Sequence, residues 1–176
     1  MQSVTGFIQR RLKLKVNQAK SAVARPQERK FLGFSFTGGA EPKRRIAPKA
    51  LLRCRRRVRE LTRRTRGIRL EQMTKELASY LQGWKSYFGF AETPSVLRKL
   101  DQWIRQRMRS VIWKQWKCGR RRFAELRQRG VWGDLATQTA GSSHGPWRIA
   151  NSPAMKYAFP NAYFAALGLP QLFAVI

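Results

Sequence analysis

The chain has 176 residues, 43% of them hydrophobic, with six Trp and ten Phe, and a formal net charge of +28 from 37 Lys and Arg against nine Asp and Glu. That apolar and aromatic content can build a packed core, which excludes a disordered basic tail, and the length fits one large domain or two small ones. No run approaches the roughly eighteen apolar residues of a membrane span, the opening MQSVTGFIQRRLKLK is too polar for a signal peptide, and a folded, aromatic-rich chain of pI near 11.8 points to nucleic acid rather than a membrane surface.

In chain order, Val4 to Arg11 reads as the end of a helix, and the opening segment as part of something larger. Leu12, Leu14 and Val16 alternate with Lys13 and Lys15, the pattern of a half-buried strand ending at Asn17. Ala22 to Ala24 is expected to pair back as a second strand, and Phe31 to Phe36, FLGFSF, reads as a third. So small a β piece is marginal by itself and needs more sheet or a packed helix. Gly38, Gly39 and Pro42 then read as a linker.

Pro48 to Arg66, PKALLRCRRRVRELTRRTR, is expected to be one helix with two faces. Leu51, Cys54, Val58 and Leu61 recur at three- and four-residue steps, and Arg53, Arg56, Arg63 and Arg64 lie opposite. A solvated arginine face is the bland alternative. Only Glu60 offsets the charge, and cations so crowded repel one another, so the stretch reads as a surface for RNA or DNA phosphates. Arg44, Arg45 and Lys49, just before and at the helix start, extend it.

Gly67 breaks the chain, and Leu70, Met73, Leu77, Tyr80, Leu81, Trp84, Tyr87 and Phe88 form a broad aromatic stripe. This second helix is expected to be the most buried, with Gly83 admitting a close neighbour and Gly89 as its stop. Thr93-Pro94 starts a third helix, with Thr93 expected as its N-cap. Its apolar stripe runs from Val96 to Ile112, and Arg98, Lys99, Arg105, Arg107 and Arg109 are expected on other faces. A basic helix from Arg120 to Arg129 follows, then a short one over Trp132 to Thr139. Beyond the loop that begins at Ala140, helical turns are expected at Pro153 to Ala158 and Asn161 to Leu167.

No catalytic constellation emerges. Asp101 and Asp134 are the only aspartates and lie on separate predicted helices, whereas two-metal phosphoryl or nucleotidyl transfer needs clustered carboxylates. The lone His144 sits in a Gly/Ser loop without an evident partner, and Cys54 and Cys118 are the only cysteines. That set lacks metal-ligand spacing, so no metal and no cofactor is expected. The cysteine usage suits a reducing, cytoplasmic setting. What remains is a binding pattern in WKQWKCGRRRF, where Lys114, Lys117, Arg120, Arg121 and Arg122 form a second cationic patch. Trp113 and Trp116 share a face there and are candidates for stacking on a splayed RNA base; core filling is the alternative for each.

Three separated segments carry a resemblance: FLGFSF; RRIAPKALLRCRRRVRELTRRTRG; and LEQMTKELASYLQGWKSYFGFAETPSVLRKLDQWIRQRMRSVIWKQWK. Together they resemble the C-terminal part of bacterial group II intron reverse transcriptase/maturases. GPWRIANSPAMKYAFPNAYFAALGLPQL is similar to that family's closing motif. The resemblance implies a mainly α fold: a three-helix thumb-like bundle, a basic helical extension, and a small N-terminal β remnant of a polymerase palm. Its implied divisions are a palm remnant over 1–40, a thumb or maturase X domain over 41–119, and a basic helix with the closing segment over 120–176. It also implies a primer-grip-like set: Lys13, Lys15, Asn17, Lys20, Phe31, Leu32 and Gly33. The family's paired-aspartate polymerase motif is not in this sequence, so no polymerase activity is expected of the chain alone. One departure is Arg69, where the family often has a Ser or Thr that would cap the second helix.

Three readings follow. The first is a maturase module that stabilises folded group II intron RNA while the ribozyme does the chemistry. The second is the thumb of a split or truncated reverse transcriptase, with a separate fingers/palm polypeptide and DNA or an RNA–DNA hybrid as further partners. The third is a non-functional remnant. No membrane partner is expected under any of them.

Overall fold

The structure, a computed structural model, describes residues 2–17, 21, 24–63, 65–173. It is mainly α, with a single two-stranded antiparallel sheet among the described residues. The first helix, α1 (Gln2–Arg11), buries none of its residues, and Val4 and Phe7 face outward. The chain from Leu12 to Val16 is irregular, not the expected strand, and Lys13 takes a positive φ of 51°. The alternation there has no partner strand among the described residues to make it pair. Most of the second expected strand, at Ala22 and Val23, lies outside the described residues.

After a single 3-10 turn at Pro26–Glu28, the segment FLGFSF yields one short strand, β1 (Phe34–Phe36). It pairs with β2 (Arg44–Ile46) in the register Phe34 opposite Ile46 and Phe36 opposite Arg44. The stretch Gly38 to Pro42 is therefore the loop of a hairpin, not a linker. Thr37 closes that loop: its N–H donates to Lys43 O at 2.9 Å, and its hydroxyl accepts from the Lys43 N–H at 2.9 Å. Gly33, at φ +81°, sets the entry to β1 against the ring of Phe88, which a Cβ would meet at 3.1 Å. Leu32, the residue before it, also has a positive φ of 49°.

The first long helix, α2 (Pro48–Leu61), opens with Pro at the position that needs no donor. It buries Ala50, Cys54, Val58 and Leu61, while Leu51 is only half-buried. The helix stops at Leu61, short of the expected Arg66. Its C-cap is Thr62, whose buried hydroxyl donates to Val58 O at 2.6 Å. Arg63 thus lies beyond the helix, and Arg64 lies outside the described residues.

The second, α3 (Leu70–Phe88), begins at Arg69, which makes no side-chain cap. Its buried stripe is Met73, Thr74, Leu77, Leu81, Trp84 and Phe88. Gly83 is exposed and meets nothing among the described residues, so it admits no close neighbour.

The third, α4 (Pro94–Gln115), buries eleven residues against six in α3, so α4, not α3, is the most buried helix. The reason is that α4 is covered twice. One face joins α2 and α3 in the core, and the other is roofed by the C-terminal segment. Thr93 precedes α4 without a side-chain cap hydrogen bond, so the expected capping role is not realised.

The roof consists of α5 (Gly119–Gln128), α6 (Gly133–Ala140), α7 (Pro146–Ile149), α8 (Pro153–Ala158) and α9 (Asn161–Ala166). Ser152 caps α8 by accepting from Met155 N. Phe159 and Phe164 are fully buried, and the Leu172 N–H donates to Asp101 Oδ1 on α4 at 3.3 Å.

Cys54 is 1% exposed and hydrogen-bonded with Tyr80, and burial pushes its thiol up to about 11. The thiolate is the reactive form. Cys118 is exposed. At pH 8 a maleimide should therefore label the native protein at Cys118 only, and denaturant should release the second site. Equal labelling rates at both cysteines in mass spectra of the native protein would contradict this packing.

Candidate nucleic-acid interface

The exposed face of α2 carries Lys49, Arg53, Arg56, Arg57 and Arg59. Glu60 takes two of them, with Arg56 Nε at 3.3 Å and Arg57 Nη1 at 3.1 Å. The Arg57 hydrogen bond leads in holding the Glu60 carboxyl below its ordinary range. Surface pairs of this kind are weak and exchange readily. Lys49 and Arg53 lie on the side of α2 nearest the Phe31–Gly33 loop, and both line one concave surface with Gly33 and Leu52.

Trp103 on α4 is half-buried and sits under three guanidinium groups, those of Arg55, Arg59 and Arg107, at 5.6–5.9 Å. Cations over an indole face are held without being neutralised. Arg107 also donates from Nε to Thr62 Oγ1 at 2.5 Å and reaches Arg59 O. The junction of α2 and α4 is therefore built from arginines stacked on a ring. Sequence spacing placed Trp103 in the apolar stripe and missed this cluster. The available signal was the three- and four-residue steps from Trp103 to Gln106 and Arg107, where the stripe turns polar.

Arg44 and Arg45 are committed to the protein. Arg44 pairs with Glu92 at 3.2 Å, and its own N–H donates to the same carboxylate at 2.6 Å. The Arg44 backbone donor leads in depressing the Glu92 pKa. Arg45 donates from Nε to Ser35 Oγ at 3.1 Å. Both arginines keep exposed faces.

In the second patch, Lys114, Lys117 and Arg122 line one concavity of about 430 Å³. Arg120 and Arg121 are exposed on the first turn of α5 beside it, and Arg121 Nε lies 3.7 Å from Glu125. Arg122 is half-buried, donates to Trp116 O at 2.9 Å, and lies 4.7 Å over the Trp113 ring.

The two tryptophans correct the stacking expectation. Trp113 is 1% exposed and Trp116 is 4% exposed. Their rings contact each other and, through Trp116, the ring of Phe159. The roof covers the face they share, so neither can receive a base. The exposed tryptophans are Trp132 and Trp147.

Of the primer-grip-like set, Lys13, Lys15 and Asn17 lie on irregular, exposed chain, and Lys20 lies outside the described residues. Phe31 and Leu32 project into solvent at 73% and 66% exposure. Tyr87 donates its hydroxyl to Leu32 O at 2.8 Å and so ties this loop to α3. The structure brings Leu32 and Gly33 to one concave surface with Arg53.

No group of three or more His, Cys, Asp or Glu that could hold a metal ion occurs among the described residues. No helix among them is long and apolar enough to cross a membrane. Among the described residues, seven ion pairs engage five carboxylates. Nine carboxylates cannot neutralise 37 basic groups in any arrangement.

These features define a mainly α module with a closed aromatic core and a cationic surface carried on α2, on the end of α4 and on the start of α5. Residues 51–130, from the first turn of α2 to Gly130 after α5, match the family described as group II intron, maturase-specific domain. Over these residues the chain is similar to the maturase-specific domain of group II introns. A search of curated proteins finds no significant match.

Proposed function

We propose that this protein is an RNA-binding maturase module that stabilises folded group II intron RNA. The intron would supply the splicing chemistry, and the protein a preformed cationic surface. The observation that carries this reading is the exposed basic face of α2, with Lys49, Arg53 and Arg56 at one side of an element whose opposite side is fully buried. A helix so held cannot turn its charges away, and a polyphosphate is the ligand that relieves their repulsion. Lys114, Lys117, Arg120 and Arg121 supply a second contact region.

Arg53→Ala and Arg56→Ala test the reading. Each site is exposed, so stability should change by less than about 0.5 kcal/mol. Binding to intron RNA in a filter assay should weaken, with the salt slope falling by about one per lost contact. Unchanged affinity in the double variant would remove α2 from the interface.

A second reading, the thumb of a divided reverse transcriptase, is favoured by one observation. The outward Val4 and Phe7 of α1 and the outward Phe31 and Leu32 leave apolar surface near the N-terminal segments, and such surface commonly receives a partner. Under it, the 1–40 segment completes a palm supplied by a separate fingers/palm polypeptide. Co-expression with such a polypeptide should then yield a stable complex with primer-extension activity. Failure to co-purify would dismiss it.

A further inference from the structure

Sequence spacing expects Arg105 and Arg109 on outward faces of α4, and the structure instead buries them under the C-terminal roof at 3% and 7% exposure. They line a cavity of about 570 Å³ together with Gln102, Asn151, Lys156 and Asn161. Arg105 Nη1 lies 2.6 Å from Asp101 Oδ1, in an ion pair whose side chains are 4% and 5% exposed. Arg105 Nε is buried and has no hydrogen-bond partner among the described residues. Arg109 donates from Nε to Phe159 O at 2.9 Å and lies 5.6 Å over the Phe164 ring. Its contacts are a carbonyl and a ring, and neither carries a negative charge.

The charge balance here is one-sided. Asp101 is the one carboxylate in contact with these groups among the described residues, and its charge is taken by Arg105. Arg109 and Lys156 add two cations to the same cavity. Burial, and then the neighbouring Arg105, lower the proton affinity of Arg109. A buried cation without a counter-charge is costly, and an unpaired buried N–H adds to that cost. Two guanidinium groups, an ammonium and several amides converge on one space. That set suits a tetrahedral, multiply oxygenated anion better than the two coplanar oxygens of a carboxylate.

We infer that the cavity between α4 and the 151–161 segment is a phosphate site, seated on Arg105 and Arg109 with Lys156 at its mouth. The site joins the segment matched by the maturase-specific family to residues beyond it. Its occupant is a phosphodiester of a bound nucleic acid or a free phosphate, and both present the same oxyanion. The inference does not rest on the α2 surface, and each can fail without the other.

The test uses the full chain and inorganic phosphate. Thermal unfolding in phosphate, against chloride at matched ionic strength, should show a saturable rise in midpoint. Lys156→Gln, at the exposed mouth, should weaken the apparent phosphate affinity about tenfold, as loss of one charge-assisted contact does. Arg105→Gln should abolish the effect if that variant folds. Lys99→Gln, an exposed cation on α4 away from the cavity lining, controls for general surface binding and should leave the effect intact.

Equal midpoints in phosphate and chloride would overturn the inference. So would a Lys156→Gln protein that responds like the wild type, or a Lys99→Gln protein that loses as much as Lys156→Gln. Phosphorus NMR then separates the sources. Displacement of the bound inorganic phosphate by intron RNA assigns the site to a phosphodiester, and retention of the signal assigns it to a free phosphate. A normal phosphate response from a protein that does not bind intron RNA would sink the proposed function and leave this site standing.

Discussion

Raising the salt concentration from about 50 to 200 mM should weaken binding to folded intron RNA by about 10³–10⁵-fold, the range for six to ten phosphate contacts. The exposed cations of the two regions, Lys49, Arg53, Arg56, Lys114, Lys117, Arg120 and Arg121, match that range if most of them meet a phosphate. Each contact releases condensed counterions from the RNA, so log affinity should fall linearly with log salt. The alternative is an arginine face that is merely hydrated. It predicts a shallow slope, because isolated surface charges are already screened beyond about 10 Å at 0.1 M salt. A filter-binding titration across that range decides the matter. A slope corresponding to one or two contacts would show that the cationic face is not the interface.

Trp113→Ala should destabilise the fold by about 3–5 kcal/mol, the cost of emptying a large buried aromatic site. Trp113 is 1% exposed and packs beside Trp116, with the Arg122 guanidinium 4.7 Å over its ring. Such a loss is a large part of the roughly 5–15 kcal/mol that holds a domain together. The expected readout is a lower urea midpoint with an unchanged slope. RNA binding of the fraction that remains folded should be close to normal. Binding lost at nearly full stability would instead mean that this ring serves the ligand and not the core. The same comparison at Trp147, 44% exposed, should show the opposite balance, with stability nearly unaffected.

Several elements are legible in the sequence itself. Cys54, Val58 and Leu61 keep a three- and four-residue rhythm, and each is buried on α2. On α3, Met73, Leu77, Leu81, Trp84 and Phe88 read the same way, whereas Tyr87 of the same expected stripe is exposed. Local periodicity suffices there because one face of each helix meets a single core. The strand expected at Leu12 to Val16 fails for the complementary reason. Alternation favours a strand only where another strand supplies hydrogen bonds, and none is in place among the described residues. Likewise, Gly38 and Gly39 mark a break in either reading; only the pairing of Phe34 with Ile46 makes that break a hairpin loop.

Charge density, the buried stripes and the similarity of residues 51–130 to the maturase-specific domain were properties of the sequence by itself. They determined the mainly α class and the basic surface of α2, because composition and short-range spacing act within one helix. The tertiary structure alone decided which cations stay in water. Arg105 and Arg109 were drawn inward, Arg55, Arg59 and Arg107 were gathered over Trp103, and Trp113 and Trp116 were withdrawn from solvent. Each outcome depends on a contact between elements far apart in the chain, above all the roof that closes over the second face of α4. No pattern local to α4 encodes where that roof will lie.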